Sequence, residues 1–174
     1  MIRSSFIARV AVVVSMSSLV FACGGSDPTP KVAARPDVTG QKDIIPGESV
    51  RGVKIGMTRD EVRALLGAPE GTEESGPNDP SPAWYYGSRG FEVSFFEGKV
   101  GNIWIYGFEH PKGMPYVGST PEGLNVASTR ADVHAKYGPG EGKGQETYDA
   151  RGIMFEYRDN GAIKVIQVIK KAAK

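Results

Sequence analysis

The sequence predicts an α+β fold of two tandem repeats, each a helix followed by a three-stranded antiparallel sheet, with the helices packed on one sheet face. Three observations predict this fold class. A short helix with start and stop signals occurs twice, aromatic and β-branched runs follow each helix, and the two stretches align with each other. The expected boundaries of the two repeats are residues 46–110 and 111–174.

Each predicted helix has recognisable ends. In the first helix, Thr58 and Glu61 are spaced as a capping box, and Gly67 follows the last apolar residues as a stop signal. The second helix begins with a weaker version of the same box, Thr129 and Asp132. Because helices of about eight residues are too short to be stable alone in water, each must pack against another element.

That element is predicted to be β-sheet. Strand-like runs are separated by short glycine turns: WYYG, GFEVSFF and KVGNIWIY after the first helix, and ETYD, GIMFEYR and AIKVIQVI after the second. A unit of about 55 residues is marginally stable by itself. We therefore expect the two units to share or abut their sheets.

The alignment of the chain with itself indicates a duplication. Residues 52–67 and 123–138 are identical at 6 of 16 positions, at an offset of 71. After a shorter loop the alignment resumes at an offset of 62, where YGSRG pairs with YDARG. The shared order of helix signals, turns and apolar positions favours duplication over chance.

The N-terminus has the features of a targeting segment. Residues 1–22 contain two arginines and an apolar run that ends in small residues, as in a signal peptide. The run is short and interrupted by serines, so a transmembrane anchor is the less favoured alternative. Residues 23–45 are rich in Gly, Pro and charge without apolar periodicity, and are expected to form a flexible tether.

Cys23 is the only cysteine and stands directly after the sequence LVFA. This stretch resembles the lipobox of bacterial lipoproteins. The resemblance implies that Cys23 becomes the lipidated first residue of the mature protein, and that Gly24 in place of an aspartate directs it to the outer membrane. An unpaired cysteine in a secreted chain can also form an intermolecular disulfide or remain a free thiol, but neither accounts for its position at the cleavage point.

Net charge argues against some classes of partner. Removing the two arginines of residues 1–22 from the 21 basic residues leaves 19 against 20 acidic ones, a formal net charge of −1. A chain so close to neutral has no broad electrostatic attraction to nucleic acid or to an anionic bilayer. We therefore predict no nucleic-acid partner, and membrane contact through the lipid anchor.

The string VKIGMTRDEVRALLGAP, followed by AWYYG and FFEGKVGNI, resembles the BamE (SmpA/OmlA) lipoprotein family over the signal and residues 50–106. The matching positions are Gly56, Met57, Thr58, Leu66, Gly67, Pro69, Trp84 and Tyr86. The resemblance implies a periplasm-facing, non-enzymatic accessory protein, in the best-known case a part of the outer-membrane β-barrel assembly machinery. The duplicated unit departs from that family and instead resembles the β-lactamase inhibitory protein fold, in which two units form one sheet that grips an enzyme.

Strand alternation predicts a binding face on the side of the sheet away from the helices. If Phe91, Val93 and Phe95 face the helix, the outward aromatic residues are Phe96, Trp104 and Tyr106. Trp84 and Tyr86 are placed on the same outer face, because their counterparts Glu146 and Tyr148 fit a half-exposed strand. The predicted partner-binding residues are Trp84, Tyr86, Phe96, Trp104 and Tyr106, with Met154, Glu156, Arg158 and Gln167 extending the face. The alternative is that the loop of residues 71–82, or the tether, covers these rings.

Catalysis has little support. His110 lies in a loop, and His134 lies on the second helix where the first unit has Arg63, which indicates a solvated position. No HExxH, GxSxG, paired-cysteine or clustered-aspartate motif occurs. The sequence predicts no enzymatic activity, no cofactor and no metal site.

These patterns lead to one preferred function and two alternatives. The preferred function is that of a lipid-anchored, non-catalytic envelope protein of the bacterial outer membrane, facing the periplasm, that binds or scaffolds a protein partner through a sheet face. The family resemblance suggests outer-membrane protein assembly as its role. The first alternative is a proteinaceous inhibitor of a periplasmic or secreted hydrolase, and the second is a weak enzyme or small-ligand carrier.

Overall fold

The computed structural model describes residues 40–73 and 82–172. The predicted signal peptide of residues 1–22, the lipidation site Cys23 and the tether up to residue 39 lie outside the described residues, and so do residues 74–81 of the predicted loop. In the described part, no helix is both long and apolar enough to cross a membrane.

The described residues form ten strands and two α-helices. In chain order these are β1 Ile44–Ile45, β2 Ser49–Val50, β3 Val53–Lys54, α1 Arg59–Leu66, β4 Gly71–Glu73, β5 Ala83–Tyr86, β6 Phe91–Phe96, β7 Lys99–Tyr106, α2 Arg130–Tyr137, β8 Gln145–Tyr148, β9 Ile153–Tyr157 and β10 Ile163–Ile169. The architecture is therefore α+β, with two short helices and antiparallel sheets.

The main sheet has seven antiparallel strands in the order β4-β5-β6-β7-β10-β9-β8. At its centre β7 pairs with β10, placing Ile105 opposite Ile166 and Ile103 opposite Val168. The prediction of three strands in each sheet is thus wrong in extent. One reason is that β7, the last strand of the first half (α1 and β4–β7), pairs with β10, the last strand of the second half (α2 and β8–β10), which satisfies backbone groups that would otherwise form two open edges. The other is that Gly71–Glu73, assigned to the loop of residues 71–82 by prediction, form the additional strand β4.

A second, three-stranded antiparallel sheet, β1-β2-β3, was not predicted. Ile44, Val50 and Val53 in this small sheet are fully buried in the hydrophobic core. Ile44 and Ile45 were assigned to the tether, yet they form β1, and the Ile44 amide donates to the Ser119 carbonyl at 3.1 Å. Burying one isoleucine side chain stabilises a fold by about 1.5–3 kcal/mol, which explains why this segment is part of the folded domain.

The two helices begin where the sequence predicts. The Thr58 amide donates to Glu61 Oε2 at 2.8 Å, and the Glu61 amide donates back to Thr58 Oγ1 at 3.3 Å. Thr129 and Asp132 form the same reciprocal box at the start of α2. The capping boxes are therefore confirmed in both helices, and each satisfies two amides that have no partner within the helix.

The helices cover one face of the main sheet. Val62 and Leu66 of α1 and Val133 of α2 belong to the same buried cluster as the inward residues of the strands. Leu65 of α1 is half exposed. The opposite face of the sheet, called the outer face below, carries the residues at the alternate strand positions.

Candidate functional site

The strand register places Trp84 and Tyr86 on the inner face, against the prediction. Trp84 lies opposite Val93 and Tyr86 lies opposite Phe91, so all four side chains point toward the helices. Trp84 is 5% exposed and Tyr86 1% exposed. These two residues are therefore core residues and not part of a binding face.

Contacts with α1 and β6 explain this position. The Trp84 ring packs edge-on against Phe95 with centroids 4.8 Å apart, and the Arg63 guanidinium lies 5.0 Å from the Trp84 ring centroid. The stretch AWYY has an aromatic residue in each of the two alternation phases. Because Trp84 and Tyr86 point inward, the ring that points outward is that of Tyr85.

The other three predicted residues do lie on the outer face. Trp104 pairs with Glu92 on one side and with Gln167 on the other, and its side chain is half-buried. Phe96 is 65% exposed. Tyr106 is only 1% exposed, because the ring of His110 stacks on it at a centroid distance of 3.9 Å.

In the second half, Met154 and Gln167 lie on the outer face as expected, but both are buried. Glu156 is half-buried and pairs with Lys164 at 2.5 Å. The accessible aromatic surface is therefore confined to the first half of the sheet.

A cavity of about 390 Å³ opens beside Trp104 on this face. A smaller cavity of about 90 Å³ adjoins it and shares Glu92, Trp104 and Lys112 as lining residues. We call the two together the outer-face groove, which is lined chiefly by Glu73, Tyr85, Glu92, Phe96, Trp104 and Lys112.

At one end of the groove lies a cation of the protein's own chain, the ammonium group of Lys112. Lys112 Nζ lies 2.6 Å from Glu73 Oε2 and 2.8 Å from the Tyr85 hydroxyl. The same ammonium lies 4.5 Å from the centroid of the Tyr85 ring. Because the Lys112 and Glu73 side chains are both about half exposed, solvent screens this pair and its contribution to stability is small.

The middle of the groove holds a carboxylate without a cation. The Tyr106 hydroxyl donates to Glu92 Oε2 at 2.7 Å. Burial and the Glu92 carboxylate raise the pKa of Tyr106 well above its usual value, so the hydroxyl remains a donor at physiological pH. Within the described part of the chain, Glu92 forms no salt bridge.

His110 closes the groove over Tyr106. Burial, and next the ammonium groups of Lys112 and Lys164, lower the pKa of His110 below its ordinary value of 6.5. The Lys112 amide lies 3.3 Å from His110 Nδ1 as a hydrogen-bond donor. The imidazole is therefore neutral at physiological pH and packs as a flat, uncharged ring.

A second polar cluster lies under α2, on the inner face. Glu146 is opposite Phe155 and only 6% exposed. Its carboxylate contacts His134 Nε2 at 2.8 Å and Arg130 Nε at 3.4 Å. The hydroxyls of two tyrosines complete the set, at 3.2 Å for Tyr148 and 3.4 Å for Tyr157.

One prediction about this cluster is wrong. Glu146 was expected to be half-exposed, but it is buried under α2. His134, which was expected to be solvated, keeps 35% of its side chain exposed and contacts Glu146. Glu146 takes the place that Trp84 has in the first half, which is why it faces the helix. The sequence signal that could have revealed the pair was the joint change of Arg63 to His134 and of Trp84 to Glu146 between the two halves.

The described residues include no group of three or more His, Cys, Asp or Glu side chains that could hold a metal ion. The Glu146 carboxylate is surrounded by donors of its own chain, and we interpret its contacts with Arg130 and His134 as structural. The outer-face groove has accessible aromatic rings and the Glu92 carboxylate, which forms no salt bridge with any described residue, and is the better candidate for a binding site.

Comparisons with known proteins add no functional assignment. No protein-family model matches the chain, and no curated protein matches it. The chain is similar to the solved structure of a DUF4309 family protein, YjgB, from Bacillus subtilis, with 18% identity and a TM-score of 0.48 over 72% of this chain and 88% of that one. It is also similar to an extracellular protein containing a SCP domain from Bacillus anthracis, with 13% identity and a TM-score of 0.43, over 80% of this chain and 49% of that one.

Proposed function

We propose that this protein is a non-catalytic, lipid-anchored envelope protein that binds a protein partner through the outer-face groove. The observation that carries the proposal is the accessibility of Phe96 and Trp104 beside a cavity of about 390 Å³ on the sheet face that the helices leave open. Exposed aromatic side chains supply large, rigid contact areas and are enriched among the residues that dominate binding energy.

The location is the second part of the proposal. Cys23 and the residues before it support acylation, and two or more acyl chains anchor a protein stably to a bilayer. We infer a periplasm-facing position on the bacterial outer membrane and an envelope protein as partner, with outer-membrane protein assembly as the role. Metabolic labelling with a clickable fatty acid should be lost in Cys23→Ala, and labelling that persists would overturn the acylation site.

The third part of the proposal is that the fold arose by duplication of one helix-plus-sheet unit. Both helices start with a capping box of the same geometry. The Tyr86 hydroxyl donates to the Gly67 carbonyl at 3.3 Å, and the Tyr148 hydroxyl donates to the Gly138 carbonyl at 2.8 Å. Each tyrosine thus joins a strand of its half, β5 or β8, to the end of its own helix.

A photo-crosslinking experiment in intact cells tests the binding function. A photoreactive phenylalanine analogue at Phe96 should give a discrete adduct, whereas the same analogue at exposed Val117, outside the groove, should not. The adduct should disappear in a Trp104→Ala background that keeps its native circular dichroism. Equal adducts from both positions, or none from position 96, would contradict the proposal.

One observation favours the alternative, inhibition of a periplasmic or secreted hydrolase. The pairing of β7 with β10 joins both halves into one seven-stranded sheet, so a single large partner can contact strands of both halves. The identity of the adduct decides between the two: an envelope-assembly protein supports scaffolding, and a hydrolase that the purified protein inhibits supports the alternative.

A further inference from the structure

The outer face carries a row of side chains that together could hold a cation. Tyr85, Glu92 and Trp104 are direct cross-strand neighbours on β5, β6 and β7. The Glu92 carboxylate therefore lies between two aromatic side chains. Its hydrogen-bond partner in the described part of the chain is the hydroxyl of Tyr106, at 2.7 Å. One carboxylate oxygen and the neighbouring Trp104 ring are left available to a ligand.

A carboxylate beside an aromatic ring already binds a cation of the protein's own chain in this groove. At the end of the same row, the Lys112 ammonium contacts a carboxylate oxygen of Glu73 at 2.6 Å, donates to the Tyr85 hydroxyl at 2.8 Å and lies 4.5 Å from the centroid of the Tyr85 ring. This arrangement combines an ion pair with a cation–π contact. Glu92 and Trp104 offer the carboxylate and the aromatic ring of such a site, and no described cation forms a salt bridge with Glu92.

We propose that the outer-face groove binds an arginine side chain of the partner, with Glu92 as counter-ion and the Trp104 ring as stacking surface. This inference rests on the proposed function and specifies the chemistry of the partner. Arginine suits the site better than lysine, because a guanidinium is planar, stacks on aromatic faces and donates two parallel hydrogen bonds to a carboxylate.

Charge complementarity argues against the segment between β4 and β5 as the occupant. Residues 74–81, which connect β4 to β5, contain two acidic and no basic residues. Such a segment does not complement Glu92. Lys112, the basic side chain that lines the groove, is already neutralised by Glu73. An external cation therefore complements Glu92 better than this segment does.

The two tryptophans give a direct readout. Trp104 lines the groove, whereas Trp84 lies in the core and serves as an internal reference for folding. The full-length protein in detergent micelles, labelled with ¹⁵N at tryptophan, is titrated with N-acetyl-arginine amide and separately with the neutral isostere N-acetyl-citrulline amide. The arginine probe should shift the Trp104 indole resonance saturably and at least about tenfold more tightly than the citrulline probe, while the Trp84 resonance stays in place.

Two variants and a control test the assigned roles. Glu92→Gln, which keeps an acceptor for Tyr106, should abolish the preference for arginine over citrulline. Trp104→Phe, followed through backbone amide resonances of β7, should weaken arginine binding about three- to tenfold, because phenylalanine is the poorer cation–π partner. Glu48→Gln removes one exposed negative charge outside the groove and should leave the titration unchanged.

The inference is overturned if both probes bind equally, if the Trp104 resonance does not respond to arginine, if Glu92→Gln keeps the preference, or if N-acetyl-lysine amide binds as tightly as the arginine probe. Its failure is distinguishable from failure of the proposed function. A Phe96 adduct that forms in cells while the arginine probe does not bind leaves protein binding in place and removes the arginine. Absence of the adduct removes the proposed function itself.

Discussion

Glu146 shows how one carboxylate can hold a helix to a sheet. It is buried on the inner face, where an unpaired charge would be costly, and Arg130 and His134 of α2 supply the compensating donors. Because these two donors remain about one-third exposed, solvent can partly replace their lost partner if the carboxylate is removed. The interaction of Glu146 with Arg130 and His134 therefore contributes less to the free energy of unfolding than a fully buried ion pair would.

From this geometry we expect Glu146→Ala to lower the free energy of unfolding by about 2 kcal/mol, through the lost ion pair and the small cavity left in its place. Glu141→Ala is the matched control, because Glu141 is exposed and bonds Thr147 through its backbone alone; it should change stability by less than about 0.5 kcal/mol. Urea unfolding followed by circular dichroism measures both. A cost for Glu146→Ala no larger than that of the control would contradict the structural role.

The two tryptophans provide a second residue-scale prediction. Trp84→Ala should lower the free energy of unfolding by about 3–5 kcal/mol, because the Trp84 side chain is buried and packs between Phe95 and Arg63. Trp104→Ala should cost about 1 kcal/mol, because its ring is half-buried on the open face. Chemical denaturation of both variants gives the comparison. If Trp104→Ala proved as destabilising as Trp84→Ala, the outer face would be core and no binding surface.

At this scale the sequence could predict part of the site. Alternation correctly placed Phe96, Trp104 and Tyr106 on the outer face, because the polar residues Glu92 and Ser94 mark the outer phase of β6 and the β-branched residues Ile103 and Ile105 mark the inner phase of β7. It failed for β5, whose four residues AWYY are apolar or aromatic in both phases, so that register alone decides which ring faces out. Register depends on the pairing partner and is not visible in a single strand.

At the scale of elements, the loop of residues 107–115 decides how much of the outer face is open. It is anchored to the sheet by the Tyr116 amide, which donates to the Tyr106 carbonyl at 3.0 Å, and by the Met114 amide, which donates to the Gly87 carbonyl at 2.9 Å. Within this loop, the ring of His110 stacks on Tyr106. This stack depends on a neutral imidazole.

We predict that acidification weakens this stack. Burial, with Lys112, Lys164 and Arg158 against the opposing effect of Glu156, lowers the pKa of His110 in the folded state. The unfolded chain therefore takes up the proton first, so the contribution of His110 to stability is present above pH about 6.5 and is lost as pH falls from there through the folded-state pKa.

Proton NMR of the imidazole resonances checks the direction. The chain has two histidines, so His134→Asn assigns the remaining resonance to His110, whose midpoint should lie below 6.5. The urea midpoint should also decrease between pH about 7.5 and 5.5, a range in which most carboxylates stay ionised, and His110→Gln should reduce that decrease. A His110 midpoint at or above 6.5 would contradict the neutral stack.

Sequence reasoning located the helices better than the small sheet. Thr58 and Thr129 sit at helix starts whose capping partners are three residues away, so the signal is local and chemically specific. Strands β1 to β3 have two residues each, too few to show any periodicity. Their burial comes from contacts with distant parts of the chain, such as the bond from Ile44 to Ser119.

At the scale of the whole molecule, the decisive feature is the pairing of β7 with β10. The last strand of each half, β7 or β10, could have been a free sheet edge. The alternation of inward and outward residues along such a strand is the same whether its edge is paired or open. The apolar pairs of Ile103 with Val168 and of Ile105 with Ile166 bury the inner side of the junction. The continuous sheet thus follows from tertiary pairing, which the sequence of one half does not encode alone.

A second connection joins the small sheet to the second half. The turn between β1 and β2 approaches the turn between β8 and β9, where the Gly47 amide donates to the Gly152 carbonyl at 2.8 Å. Gly152 has φ +75°, and a Cβ added there would collide with the backbone of Gly47. Both the backbone conformation and the space therefore require glycine at this position.

Gly152→Ala should consequently separate the two turns and lower the free energy of unfolding by at least about 3 kcal/mol, from left-handed strain and steric overlap together. Gly161→Ala is a matched control, because Gly161 has φ +79° and no neighbouring atom within 4 Å of the added methyl group. Gly161→Ala introduces the backbone strain without the steric overlap and should lower the free energy of unfolding by about 1 kcal/mol. Thermal and urea unfolding of the two variants isolate the packing contribution as their difference. Equal costs would mean that the small sheet does not close against the second half of the main sheet.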